Sequence, residues 1–186
     1  MREVRTVVLV EGASDQLALQ TLAARRGRDL AAEGVAIVPM GGARSIGRFL
    51  ERYGPRGLDL RLAGLCDARE EAVFRRGLEQ AGLGAGLGRA EMAALGFHVC
   101  VADLEDELIR CLGPAAVERV VERQGELGSF RTFQRQPAQR ERSLPDQLHR
   151  FLGTRSGRKG RYARLLVDAL DLARVPEPLD RLLAQL

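Results

Sequence analysis

Over its first two-thirds the chain alternates short aliphatic runs with stretches whose apolar residues fall at helical spacing. Val4–Val10 (Val-Arg-Thr-Val-Val-Leu-Val) is β-branched and bounded by a turn signal, which predicts a buried strand. Ser14–Arg26 carries Leu17, Leu19, Leu22 and Ala23 at helical spacing, and Gly27 ends it. Gly34–Met40 predicts a second strand closed by Gly41-Gly42, and Arg44–Tyr53 a helix with Ile46, Phe49 and Leu50 on one face. Asp59–Cys66 predicts a third strand, Arg69–Ala81 a helix, Phe97–Ala102 a fourth strand and Asp103–Leu112 another helix. The glycine-rich Gly82–Gly88 segment interrupts the pattern and reads as a flexible loop. This strand–helix order predicts an α/β layered fold with a four-stranded, mostly parallel sheet flanked by helices.

Beyond Gly113 no strand pattern remains. Pro114–Arg123, Pro145–Leu152, Tyr162–Ala173 and Pro178–Leu183 read as helices joined by Arg- and Gln-rich connectors. The expected organisation is an α/β domain over residues 1–112 and a basic helical C-terminal extension over 113–186 that packs on it.

The length of 186 residues suits one compact domain, and 45% apolar against 29% charged residues excludes a disordered or fibrous chain. Aromatic residues are only 4% and tryptophan is absent, so the core must be built from Leu, Val and Ala. No run approaches the roughly 20 apolar residues of a membrane span, and the N-terminus has no secretory-signal pattern. Cys66, Cys100 and Cys111 form neither an even set nor a Cys-x-x-Cys pair, so reduced thiols and a cytoplasmic location are expected.

Charge is distributed unevenly. Residues 1–110 carry 15 basic and 16 acidic side chains; residues 111–186 carry 14 and 9. Within 131–164, ten basic residues face only Glu141 and Asp146, a balance of +8 that suits either a polyanionic partner or a solvated helical face. Of 29 basic residues 28 are arginine, and Lys159 is the single lysine. An ammonium is a compact point charge, unlike the planar guanidinium, so Lys159 is a candidate for close approach to a phosphate.

Acidic residues fall where chemistry needs them. In open parallel sheets, ligands bind outside the carboxyl ends of the strands. The first predicted strand runs into Glu11, with Asp15 four residues on; the third ends at Asp67; the fourth leads to Asp103 and Glu105. Carboxylates gathered on one edge repel each other unless a pKa rises or a cation binds between them. An oxygen-rich set without His or Cys at ligand spacing favours Mg²⁺ or Mn²⁺ over zinc. Taken singly, Asp15 and Asp103 also suit helix capping, whereas Glu11 before Gly12 is a poor cap and a poor core residue.

The ordered set Val-Leu-Val-Glu-Gly-Ala-Ser-Asp, Asp67, Asp-Leu-Glu-Asp-Glu-Leu-Ile and Gly-Arg-Lys-Gly-Arg-Tyr-Ala resembles the Toprim domain, in the version found in OLD-type (overcoming-lysogenisation-defect) nucleases. The resemblance implies a Toprim-like fold and metal-dependent hydrolysis of nucleic-acid phosphodiesters. It implies that Glu11, Asp15, Asp67, Asp103 and Glu105 hold Mg²⁺ or Mn²⁺, with Glu11, Asp67 and Lys159 carrying catalysis. It further implies a nucleic-acid partner, DNA in preference to RNA, gripped by Arg155, Arg158, Lys159 and Arg161. A homodimer or a separate ATPase partner accords with it, because OLD-type nucleases pair this domain with an ATPase domain. No ATP site is expected, since no G-x-x-x-x-G-K-[ST] motif occurs.

One position departs from the resemblance. The expected Asp-x-Asp pair reads Asp67-Ala68-Arg69, and a cation in place of the second carboxylate opposes metal binding. Two ions are expected, or one if Arg69 disables a site, unless Glu70 or Glu71 substitutes. Arg69 also motivates an alternative, a catalytically degenerate Toprim module that binds nucleic acid or a partner protein without cleavage. A phosphoacceptor receiver is disfavoured because Lys159 does not follow a fifth strand. His98 is expected to be a strand residue and His149 a solvated helical one, with no nucleophile partner for either. Phe130, Phe133 and Phe151 are expected in helical core contacts rather than in base stacking.

Overall fold

The computed structural model describes residues 3–155 and 157–186. Four strands, β1 (Thr6–Val10), β2 (Val35–Pro39), β3 (Arg61–Cys66) and β4 (Phe97–Val99), form one sheet in the order β2-β1-β3-β4. All three pairings are parallel, with Thr6 opposite both Val35 and Arg61, and Gly64 opposite Phe97. Each strand therefore points its carboxyl end at the same edge of the sheet.

Helices cover both faces, as parallel sheets require. β1 is buried throughout, and alternate residues serve alternate faces. Val7 and Leu9 join a core with Ile46 and Leu50 of α2 (Ile46–Tyr53), Phe74 and Leu78 of α3 (Glu71–Gln80) and Met92 of α4 (Arg89–Ala94). Val8 and Val10 join the opposite core, which contains Leu19 and Leu22 of α1 (Ala13–Arg25) and Leu104 and Leu108 of α5 (Leu104–Leu112).

That second core runs without a break across Gly113. It takes in Val117 and Val121 of α6 (Pro114–Arg123), Phe130 of α7 (Leu127–Gln134) and Phe151 of α8 (Leu144–Leu152). Leu166 of α9 (Arg158–Ala169) and Leu182 of α10 (Glu177–Gln185) complete it. α9 lies along α1: Arg25 donates to the carbonyls of Val167 and Leu170 at 2.7 and 2.8 Å, capping the end of α9.

Several boundaries differ from the sequence pattern for identifiable reasons. β4 stops at Val99, because the N–H of Val101 turns to the Glu107 carboxylate at 2.6 Å and Asp103 caps α5. The Gly82–Gly88 segment is tethered rather than a free loop: Leu87 is buried and its N–H donates to Glu79, and Gly88 opens α4. Two short helices, α4 and α7, occupy stretches without predicted helix. α9 begins four residues before the expected Tyr162, so Lys159 stands in its first turn.

The three phenylalanines are core residues, with ring centroids of Phe130 and Phe133 at 5.0 and 5.7 Å from that of Phe151. The thiols are free; Cys66 and Cys100 are buried strand-end residues.

Gly64 marks the tightest approach in the sheet. A Cβ there would lie 2.7 Å from the Phe97 ring and 2.9 Å from the Leu9 carbonyl oxygen. Gly64→Ala should therefore destabilise the fold by about 1–3 kcal/mol. Gly47→Ala, where a Cβ meets nothing within 4 Å, should be neutral or stabilising by roughly 0.5 kcal/mol. Urea titrations of the two variants test this contrast, and equal stability would refute the packing argument.

Candidate metal centre

The turns that follow the strands assemble the site. Glu11 follows β1, and one of its oxygens accepts the N–H of Asp67, the residue after β3, at 2.9 Å. One hydrogen bond thus ties neighbouring strand ends together and orients a carboxylate along the sheet edge. The Gly41–Gly42 turn after β2 folds over the same place, with the Gly42 N–H donating to the Glu11 carbonyl at 3.0 Å. Both glycines have positive φ, 73° and 118°, a conformation costly for other residues.

Asp15 is the third residue of α1, and its carboxylate accepts the Gly12 N–H at 2.8 Å. Asp103 is the N-cap of α5 and accepts from the Asp106 N–H at 2.9 Å. Both residues thus combine a capping bond with a place at the sheet edge, because the helix N-terminus that needs the cap lies there.

From the C-terminal helices come two nitrogen groups, an ammonium and an imidazole. The Lys159 ammonium lies 3.0 Å from one oxygen of Glu105, with the lysine side chain half exposed and Glu105 buried. The His149 Nε2 lies 2.9 and 2.7 Å from the two oxygens of Asp103. His149 is therefore partly buried and bonded to Asp103 rather than a solvated helical residue. Asp103, Glu105 and His149 each offer a ligand atom within 4.8 Å of the other two. A cleft of about 380 Å³ opens beside them, lined by Phe133, Gln139, His149, Arg150, Gly153, Thr154 and Lys159.

The electrostatics show a centre that is short of positive charge. Burial, and then the charges of Glu11, Asp103, Asp15 and Glu105, push the Asp67 carboxyl up to about 7. All four other predicted acidic residues thus act on Asp67, so these five residues share one field. Burial raises Asp15 to about 6 against the opposing Gly12 hydrogen bond, with Glu105 and Glu11 adding to the rise. Burial also raises Glu11 despite the hydrogen bond from Asp67.

The half that carries Lys159 and His149 behaves differently. Burial works against ionisation of Asp103, but the His149 and Asp106 hydrogen bonds and the charges of His149 and Lys159 outweigh it, leaving its carboxyl low. The hydrogen bond to Asp103 raises His149, and Glu105, Asp103 and Asp67 together raise Lys159 in spite of its burial.

A divalent cation fits this donor set. Raised carboxyls without enough counter-charge favour a cation among them. Glu105 adds a specific sign: its Oε1 is buried and has no hydrogen-bond partner among the described residues. Such an atom is costly unless something ligates it.

Other acidic residues are engaged elsewhere. Asp106 and Glu107 pair with Arg110, each at 2.7 Å. Glu71 pairs with Arg89 at 2.7 Å, which leaves Glu70 as the acid after Arg69 that acts on Glu11. Arg69 itself is exposed.

The expected phosphate-gripping arginines are not equivalent. Arg155 and Arg161 are exposed, the latter paired with Glu126 at 2.7 Å. Arg158 corrects the sequence expectation: it is buried, stacks on the Phe151 ring at 4.2 Å, and donates to the Phe151 carbonyl, Thr154 and Glu126. Its guanidinium is consumed inside the protein. His98 is likewise structural, buried and bonded to Gln185 at 2.9 Å.

These shifts set a pH dependence. Asp15 and Asp67 have folded values above their unfolded ones, so between about pH 4 and 7 the folded state holds more protons and loses stability as pH rises. His149, raised by Asp103, contributes stability that is full below its unfolded value and is lost as pH rises through its higher folded value, the same direction. The melting temperature of the metal-free protein should therefore fall by roughly 3 °C or more from pH 5 to pH 8. Mn²⁺ should restore it most strongly at pH 8. A metal-free melting temperature that climbs over this range and ignores Mn²⁺ would contradict the assignment.

Comparison with known proteins agrees with this architecture. Residues 4–68 match the family model described as the overcoming lysogenization defect protein-like Toprim domain. The C-terminal region of the Burkholderia pseudomallei OLD protein superposes with a TM-score of 0.76 at 17% identity, covering 97% of this chain and 96% of that one. A structure of the C-terminal region of the Xanthomonas campestris pv. campestris OLD protein gives 0.72 at 21% identity, covering 97% and 91%. A second structure of that region gives 0.68 at 24% identity, covering 99% and 95%. No curated protein sequence matches the chain. The chain thus has the fold of an OLD C-terminal region, and its residues 4–68 match the OLD-like Toprim model.

Proposed function

We propose that the protein hydrolyses nucleic-acid phosphodiesters with divalent metal, as a nuclease or nickase. The observation that carries this reading is the gathering of Glu11, Asp15, Asp103 and Glu105 around Asp67 at one sheet edge, with Lys159 on Glu105. Those five carboxylates would hold Mg²⁺ or Mn²⁺. A divalent ion supplies Lewis-acid stabilisation of the charge that develops during in-line displacement at phosphorus.

The protein's own groups complete the arrangement. Glu11 and Asp15 are pre-oriented by backbone N–H donors, so little reorganisation is needed when a cation and substrate bind. Lys159 is half exposed and held by Glu105 beside the cleft, where its ammonium can approach a phosphate oxygen that a bulkier guanidinium would meet differently. Arg150 and Arg155 present exposed positive charge in the chain's basic segment, and Arg161 is exposed while paired with Glu126. DNA is the preferred substrate class.

A second reading is favoured by Arg69: a module that binds nucleic acid or a partner protein without cutting, because the second acid of the Asp-x-Asp pair is replaced by an exposed cation.

Plasmid relaxation separates the two. The purified protein should nick supercoiled DNA with Mn²⁺ or Mg²⁺ and not with EDTA. Glu11→Gln should abolish nicking, and Lys159→Met should slow it by about 10²–10³-fold. Binding to DNA should weaken by about 10²-fold between 50 and 200 mM salt if some four basic side chains contact phosphates. Salt-sensitive, Mn²⁺-supported binding with no cleavage selects the non-cutting module; cleavage that persists in Glu11→Gln with EDTA rejects a metal site here.

A further inference from the structure

We propose that His149 is a metal ligand, so that the ion held by Asp103 and Glu105 sits in a mixed nitrogen and oxygen set that prefers Mn²⁺ over Mg²⁺. The inference rests on the metal-binding reading above and names the donor that would decide which ion is taken.

The geometry comes from two helices that meet at the sheet edge. α5 presents Asp103 at its N-cap and Glu105 in its first turn, both buried. α8 buries Leu148, Phe151 and Leu152 in the core, which fixes the helix and leaves His149, next to Leu148, facing Asp103. The Nε2 atom lies within 3 Å of both Asp103 oxygens, between them rather than on one. Its separation from the Glu105 ligand oxygen is within 4.8 Å. One ion with bonds of about 2.0–2.2 Å closes such a triangle with small side-chain movements.

A second observation is independent of the histidine. Glu105 is only 3% exposed; Lys159 occupies its Oε2, while its Oε1 is buried without a partner among the described residues. That free lone pair has no role in the packing and is the donor a cation would satisfy. Imidazole nitrogen is a donor for first-row transition ions, of which Mn²⁺ is the weakest-bound. Mg²⁺ favours oxygen donors and gives up its water reluctantly, so a nitrogen donor shifts the balance from Mg²⁺ toward Mn²⁺. The competing arrangement keeps His149 behind the carboxylate, as an outer partner that orients Asp103 and never touches the ion.

Pulsed electron paramagnetic resonance of the full chain loaded with Mn²⁺ decides between them. The only other histidine, His98, is held by Gln185 at the sheet's β4 edge, so a histidine signal is unambiguous. The wild type should show imidazole nitrogen coupling that changes on ¹⁵N-histidine labelling and vanishes in His149→Gln, which retains a hydrogen-bond donor for Asp103. The Mn²⁺ dissociation constant should rise about tenfold or more in that variant, while the Mg²⁺ constant moves by no more than about threefold. Mn²⁺ bound without nitrogen coupling, or coupling unchanged in His149→Gln, overturns the ligand assignment and leaves the metal site standing. Absence of any bound Mn²⁺ in the wild type overturns both.

Discussion

Repulsion among buried and partly buried carboxylates is the constraint around which this molecule is arranged. A parallel sheet directs all its strand ends to one edge, and here three of the four lead into acids that would rather be apart. Desolvation is the first cause of the rise in Asp67, Asp15 and Glu11, and their mutual charge is the next contributor at Asp67. Such a cluster opposes folding in the metal-free state. It is tolerated because the sheet is anchored from both faces by apolar packing, from Val7 and Leu9 on one side and Val8 and Val10 on the other. Stability lost at the edge is recovered in the layers.

The position of Lys159 shows how the scaffold serves that edge. Arg158, its neighbour in the first turn of α9, is buried against Phe151 and bonded to Thr154 and Glu126. Glu126 also accepts from Arg161 and Tyr162, so one carboxylate of the α6–α7 connection gathers three donors from α9. Successive residues of a helix point about 100° apart. Fixing Arg158 inward therefore fixes the direction of Lys159, which reaches Glu105. The chain uses guanidinium as an internal strut, where a planar fork can satisfy several acceptors, and keeps its single ammonium for the site.

This division of labour explains what the sequence discloses and what it conceals. Glu11, Asp67 and Asp103 were legible because each follows a strand signal, and strand ends in a parallel sheet share an edge by topology alone. His149 was not. It lies among arginines on an amphipathic helix and meets Asp103 across 46 positions, so nothing local distinguishes it from a solvated residue. Arg158 misled for the converse reason: Arg155, Lys159 and Arg161 lie close to it in sequence, while its neighbours in space are Phe151 and Glu126. The start of α9 was hidden by glycines at 157 and 160, which read as helix breakers. Gly160 instead lets α9 lie close to α1, where a Cβ would come within 3.2 Å of Leu17. α4, with six residues, is too short for periodicity to register.

Arg69 bears on whether the site retains a full charge complement. The residues around Glu11 act on it unequally: Glu70 raises its carboxyl more than Arg69 lowers it. Arg69 is exposed, so solvent screens it, whereas Glu70 is partly buried at the start of α3. The short turn after Asp67 thus delivers net negative influence to Glu11 even though its second acid is an arginine. The family match covers only residues 4–68 and ends before that substitution. Asp103, Glu105, His149 and Lys159 all lie beyond the match, and they carry the unpartnered oxygen and the half-exposed ammonium. Charge that could hold a cation is therefore present in both halves of the centre, as both the cutting and the non-cutting readings require.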